Sequence, residues 1–225
     1  MATIEPAELE AFRGGVHSME KALRLRRDLP HDKRFIDRLD RSRSWLLRSY
    51  RALSQEEELE LGYICLWVAF NALYGIADEE DFERGMKRFL ATIVEADVKF
   101  PDKLVVALRH DALNALLTNP FLLKSNWTNG IYRPIHRVMS DRERFATDLK
   151  RTNYEEALHI LLRRLYILRN QLFHGCSTHS RGTNRGSLIP AIRTLMRLLP
   201  YFWNVVESSE DTNRWGKLPF SRAPR

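Results

Sequence analysis

Leucines recur every three or four residues between positions 153 and 173, which is the spacing of one face of an α-helix. The apolar stripe consists of Tyr154, Leu158, Leu161, Leu165, Leu168 and Leu172. Gly175 follows, and glycine often ends a helix because it adopts the left-handed backbone conformation without steric cost. A helix with such a stripe is stable only when the stripe is buried, so the rest of the chain is expected to pack around it.

Most of the remaining chain also shows helical patterns. Residues 63–74 are apolar on all sides, which is typical of a buried helix. Ser54 and Glu57 have the spacing of a capping box, so we expect this helix to begin at Ser54. Asn129 and Gly130 lie among polar residues rather than between alternating apolar runs, so no hairpin is predicted there. Further helices are predicted over residues 6–29, 32–53, 78–96, 101–117 and 188–207.

These patterns predict an all-α fold without a linker that divides the chain. We expect a single all-helical domain over residues 1–207, in which residues 1–32 form an N-terminal helical extension and residues 153–174 carry the motif described below. Residues 208–225 are predicted to be a polar, flexible tail.

Composition and motif searches exclude several classes of protein. The two cysteines stand apart in sequence, so neither a disulfide framework nor a cysteine-based zinc site is expected. The first twenty residues contain four glutamates and no apolar run of signal-peptide length, and no apolar stretch reaches the ~20 residues that span a bilayer. We therefore expect a cytoplasmic protein that does not enter a membrane. Nucleotide-binding glycine motifs and a zinc-protease motif are missing, so no cofactor and no metal is expected.

Positive charge is concentrated in the last third of the chain. The formal net charge is +7, and residues 151–225 hold 12 basic but only 5 acidic side chains, whereas residues 1–60 and 61–150 are each balanced. Eleven of these 12 cations are arginines, which bind phosphate groups in a bidentate manner. Two interpretations stay open, namely a solvated basic face and a polyanionic partner such as nucleic acid.

The end of the 153–173 helix carries the sequence Arg-Asn-Gln-Leu-Phe-His at residues 169–174. Asn170 and His174 are four residues apart and share a helix face, and Arg169 lies ~100° around the axis. We expect this face to point away from the leucine stripe, with His159 and Arg163 along it. A purely structural role also stays open, because cations in the last turn stabilise the carbonyl end of a helix.

The segment 164–175 resembles the signature of the HEPN superfamily, which is an arginine, a polar residue that is often asparagine, three residues and a histidine at a helix end. Residues 66–75, Leu-Trp-Val-Ala-Phe-Asn-Ala-Leu-Tyr-Gly, look like the central helix of many bacterial HEPN proteins. A loop after the histidine and a last helix that ends in aromatic residues extend the resemblance to residues 35–207. It implies a HEPN-like helical bundle with additional N-terminal helices.

The resemblance also implies a homodimer in which the Arg169 and His174 elements of two protomers face each other. Many HEPN proteins are metal-independent ribonucleases that act as toxins or as effectors of defence and stress responses, and others are non-catalytic interaction modules. RNA and an antitoxin or defence-system protein are therefore the expected partners. One subgroup carries a tyrosine two residues after the histidine, where it is modified by a nucleotidyltransferase. Cys176 occupies that position here, so this mode of control is not expected.

Metal-free RNA cleavage uses the 2′-OH of the RNA as nucleophile, with a general base, a general acid and a cation that stabilises the phosphate in the transition state. His174 is the expected acid or base because its reference pKa lies near neutral pH. Arg169 is expected to stabilise the phosphate, and Asn170 to orient His174 or donate to a phosphate oxygen. The candidates for holding the RNA backbone are Arg163 on the helix and Arg181 and Arg185 in a predicted loop over residues 176–186. The alternative prediction is a non-catalytic module that binds RNA or a protein through the same groove.

Overall fold

The computed structural model describes residues 4–27, 33–55, 58–77, 81–97, 102, 104, 108, 112–128, 131–132, 138–174 and 185–219. These residues confirm the predicted all-α fold. The helices are α1 (Pro6–Arg27), α2 (Lys33–Leu53), α3 (Leu59–Tyr74), α4 (Phe82–Ala96), α5 (Ala112–Thr118), α6 (Val138–Lys150), α7 (Tyr154–Phe173) and α8 (Arg185–Glu207). Within these ranges, no helix has both the length and the apolar character needed to cross a membrane.

Contacts divide the chain into two compact units. One unit, called the motif unit here, contains Lys99–Thr194, and the other, called the terminal unit, contains Ile4–Val98 and Leu195–Arg225. Helix α8 begins in the motif unit and ends in the terminal unit. The expectation of one domain over residues 1–207 stays a prediction.

In the motif unit, helices α5, α6 and α7 pack against one another around a leucine-rich core. Arg164 of α7 is only 1% exposed and organises this packing. Its guanidinium donates to the carbonyls of Leu116 (2.9 Å) and Asn119 (3.0 Å), and to the carboxylate of Asp141 on α6 (3.1 Å). Carbonyls at a helix C-terminus lack partners within the helix, so one buried arginine both satisfies the end of α5 and ties it to α6 and α7.

In the terminal unit, helices α1 and α3 pack against α2, and an aromatic cluster fills the core. Phe70 lies at the centre of this cluster, with ring centroids 5.5 Å from Trp67, 6.0 Å from Phe89 and 6.3 Å from Phe202. Aromatic pairs at such distances add stability beyond the area that they bury. Helix α3 is buried as its all-round apolar character predicts.

The described residues 208–219 differ from the flexible tail predicted over residues 208–225, and residues 220–225 lie outside the described residues. Residues Thr212–Trp215 form a 3-10 turn, and the side chains of Trp215 and Leu218 are 3% and 4% exposed. The ring of Trp215 lies 5.9 Å from that of Phe89, and the amide of Ala77 donates to the carbonyl of Lys217. The segment is polar in composition, so the prediction missed that the two apolar side chains of Trp215 and Leu218 are buried in the terminal unit.

Two local predictions were wrong. The hydroxyl of Ser54 donates to the carbonyl of Tyr50 and thereby closes α2, whereas α3 begins at Leu59. Short antiparallel strands β1 (Trp127–Thr128) and β2 (Ile131–Tyr132) flank the Asn-Gly pair at which no hairpin was predicted. Both errors concern segments in which one or two residues decide the structure.

Gly62 of α3 is required for the packing of α3 against α2. A Cβ atom at Gly62 would lie 2.6 Å from Cγ of the buried Leu53, well inside van der Waals contact. We expect Gly62→Ala to lower the free energy of unfolding by about 1–3 kcal/mol, because Leu53 must leave its rotamer. Urea denaturation followed by circular dichroism measures the change.

Gly14→Ala is the matched control, since nothing lies within 4 Å of a Cβ at Gly14 and the residue is exposed on α1. Removing a glycine from a helix interior should raise the free energy of unfolding by roughly 0.5–1 kcal/mol. If both variants were equally stable, the close packing between α2 and α3 would be relaxed in solution.

Candidate functional site

The side chain of Gln171 connects the last turn of α7 to the backbone of another segment. This side chain is 5% exposed, and its Nε2 donates to the carbonyl of Phe121 at 2.7 Å. The indole N–H of Trp127 donates to the same carbonyl at 2.9 Å, and the side-chain amide of Asn126 donates to the carbonyl of Pro120. These part-buried hydrogen bonds connect the end of α7 to the segment before β1 and support the residues that project from this helix end.

Arg169 projects from this helix end in a defined conformation. Its Nη1 donates to Oδ1 of Asn170 at 3.0 Å, and its guanidinium carbon lies 4.0 Å from the ring centroid of Phe173. Among the residues that the structure describes, these partners are an amide oxygen and an aromatic face, and no carboxylate pairs with Arg169. Both contacts orient the guanidinium while they leave its positive charge without a neutralising anion.

His174 lies immediately after the last helical residue and is exposed to solvent. Its backbone N–H donates to the carbonyl of Asn170 at 2.9 Å, which closes the final turn. Asn170 therefore contacts both of the other motif residues. Its side-chain oxygen accepts from Arg169, and its backbone carbonyl accepts from the backbone N–H of His174. The contacts of Arg169 do not include the His174 imidazole. Within one protomer, the two groups therefore lie at the same helix end without contacting each other.

The other predicted site residues are placed unevenly. Arg163 is exposed on α7, two turns before Asn170. His159 was expected on the same outward face, but it is 5% exposed, because the face is covered toward the beginning of α7. Arg185 was predicted in a loop but is the first residue of α8, and nothing is described of its side chain. Gly175, Cys176 and Arg181 lie outside the described residues.

The charge excess of the last third is partly neutralised by acids from earlier in the chain. Arg164 pairs with Asp141 at 3.1 Å in the motif unit. In the terminal unit, Arg197 pairs with Glu8 at 3.0 Å and Arg214 with Glu95 at 3.7 Å. Three of the arginines counted in this excess are therefore paired with acids from earlier segments.

Two residues that shape the site were missed from the sequence. Phe173 stacks on Arg169 and is 51% exposed, and the signal for it was the four-residue spacing that places both side chains on one face. Gln171 had no usable signal, because only the fold shows that it faces a buried carbonyl.

Metal ligands do not gather at this helix end or elsewhere in the described parts of the chain: no group of three His, Cys, Asp or Glu side chains there could hold an ion. No family model, curated protein or solved structure matches the chain.

Proposed function

We propose that this protein is a HEPN-type, metal-independent endoribonuclease, with His174 as acid or base and Arg169 as the cation that stabilises the scissile phosphate. The observation that supports the proposal is the state of Arg169, which is oriented by Asn170 and Phe173 and has no carboxylate partner among the described residues. An oriented guanidinium that has no carboxylate partner among the described residues lies at the same helix end as an exposed imidazole, and phosphoryl-transfer chemistry at neutral pH uses both kinds of group.

In the proposed reaction, a neutral imidazole removes the proton of an RNA 2′-OH, and the resulting oxygen nucleophile attacks the adjacent phosphorus. The bond from phosphorus to the 5′-oxygen breaks, and a protonated imidazole gives its proton to that leaving oxygen. Arg169 donates to the non-bridging oxygens, on which negative charge builds up. The products are a 2′,3′-cyclic phosphate and a 5′-OH end.

One imidazole cannot act as base and acid in the same event. A homodimer through the Arg169/His174 face would supply a second His174 and a second Arg169 to one phosphate. The half-exposed ring of Phe173 at this end offers apolar area for such an interface. We therefore propose a homodimer whose active site is shared, acting on RNA in the cytoplasm as a toxin or defence effector, with an antitoxin or defence-system protein as a further partner.

A non-catalytic binding module is the second candidate. The observation that favours it is the stacking of Arg169 on the half-exposed ring of Phe173, because aromatic and arginine side chains are both typical of binding sites for single-stranded RNA and of protein interfaces. In this alternative, the same helix end binds its partner and the RNA stays intact.

The test is incubation of the purified protein with single-stranded RNA in excess EDTA, with analysis of the ends by mass spectrometry. The proposal predicts that the RNA is cleaved as fast in EDTA as without it, and that the products carry cyclic phosphate and 5′-OH ends. Products with a 3′-OH and a 5′-phosphate would contradict the proposed chemistry. RNA that is bound but not cut would favour the binding module.

A further inference from the structure

A cation-lined cavity in the terminal unit is separate from the helix end discussed above. Its volume is about 360 Å³, which is within the range of pockets for small organic ligands. Among the described residues that line it, four carry positive charge and none carries a carboxylate. The charged lining residues are Arg34, Arg38, Arg88 and Lys217.

Arg38 supplies a buried charge to this cavity. It is 1% exposed, and its guanidinium donates to the carbonyls of Leu73, Gly75 (2.9 Å) and Gly216 (3.0 Å). Within the described parts of the chain, no carboxylate pairs with it. Burial and the nearby charge of Arg41 lower the pKa of Arg38 to about 10, so it stays protonated at neutral pH. Carbonyl dipoles hold this charge in place but do not cancel it, so the described lining of the cavity carries a net positive charge.

The backbone conformation at Gly216 allows its carbonyl to contact Arg38. Gly216 has φ 71°, in the left-handed region that favours glycine, and a Cβ there would lie 3.0 Å from Ile76 Cγ2. In this conformation the Gly216 carbonyl accepts from Arg38. The neighbouring Thr212 and Asn213 add polar groups to the lining, whereas Phe35 and Leu218 are buried and apolar. Charge, polar groups and apolar area thus meet in one open cavity.

We propose that this cavity binds a small polyphosphate anion, either inorganic or the polyphosphate chain of a nucleotide. A compact anion with several charges matches the buried Arg38 together with Arg88 and Lys217 around about 360 Å³, and the exposed rim at Arg88 and Lys217 gives the ligand a way in. This inference does not depend on the proposed nuclease activity, because it rests on other residues in the other unit.

The experiment is isothermal titration calorimetry, in which tripolyphosphate, ATP and adenosine are each titrated into the full chain at low ionic strength. We expect saturable one-to-one binding of tripolyphosphate that weakens as salt is raised. Equal affinities for tripolyphosphate and ATP would identify the phosphate chain alone as the ligand, whereas tighter binding of ATP would identify a nucleotide. Adenosine that binds as tightly as ATP would overturn the proposal.

The test variant is Arg88→Ala/Lys217→Ala, since both side chains are exposed and their loss should leave the fold intact, as circular dichroism would verify. We expect its affinity for tripolyphosphate to fall about tenfold or more, because two charged contacts are removed. The control Arg144→Ala/Lys150→Ala removes the same charge from exposed positions of α6 and should stay within about twofold of wild type.

An equal loss of affinity in both variants would show that binding follows net charge, and the proposal would fail. It would also fail if wild type bound no tripolyphosphate. Binding of a short single-stranded RNA through Arg88 and Lys217 without any binding of tripolyphosphate would assign these residues to a nucleic-acid surface instead.

Discussion

His174→Ala should reduce RNA cleavage by about 10²–10⁴-fold, which is the effect of removing one positioned acid or base. If both copies in a dimer act on the same phosphate, the loss should lie at the upper end of this range. The fold should survive, because His174 is exposed and follows the last helical residue. A cation at an exposed helix end contributes only ~0.3–1 kcal/mol, which is small beside a typical stability of ~5–15 kcal/mol. Initial cleavage rates in EDTA measure the effect.

The matched control is His17→Ala, which removes an exposed helical histidine from α1 in the terminal unit and should leave cleavage unchanged. Arg169→Ala should also lose cleavage, since the variant lacks the cation that Asn170 and Phe173 orient. A folded His174→Ala protein that cuts RNA as fast as wild type would leave His174 only as a helix cap. The nuclease proposal would then be wrong.

Arg164→Met should lower the free energy of unfolding by about 2–4 kcal/mol, because backbone carbonyls lose a buried donor at ~1–3 kcal/mol each and the partly exposed Asp141 loses its ion-pair partner. The substitution keeps much of the side-chain volume but leaves the carbonyls of Leu116 and Asn119 and the carboxylate of Asp141 without their donor. Such a loss is a large part of the stability of a typical domain. Urea denaturation with circular dichroism as the probe measures it.

Arg142→Met is the control for this variant. Arg142 lies next to Asp141 on α6 but is exposed, so its replacement should change the stability by no more than roughly 0.5 kcal/mol. An Arg164→Met protein that is as stable as this control would mean that water replaces the lost hydrogen bonds. Arg164 would then not organise the motif unit.

The helices could be predicted where a long periodic pattern specifies them. Helix α7 was predicted over residues 153–173 and extends over Tyr154–Phe173, because six apolar positions in register define both the axis and the buried face. By contrast, Ser54 matched a capping box in sequence, but a serine hydroxyl can equally donate to the carbonyl four residues before it. The β1–β2 ladder pairs two residues with two, which is too short for alternation to be visible.

The position of Asn170 and His174 at one helix end could be predicted, whereas the groups that support this end could not. Spacing placed Asn170 and His174 at one helix end, yet angular position could not show that His159 on the same side would be buried. Burial depends on what packs against a face, and that information lies elsewhere in the chain. Counts of charge along the sequence fail for the same reason, since Glu8, Glu95 and Asp141 come from other segments to pair with arginines of the last third.

The order in which the two units occur along the chain has a consequence for synthesis on the ribosome. The terminal unit uses residues on both sides of the motif unit, and its aromatic core needs Phe202 and Trp215 as well as Phe70. Its first four helices therefore leave the exit tunnel without the residues that complete their core, and at ~5–20 residues per second they wait roughly 5–20 s for them. During that interval the nascent chain exposes the apolar surface of α3, which is where a chaperone would be expected to bind.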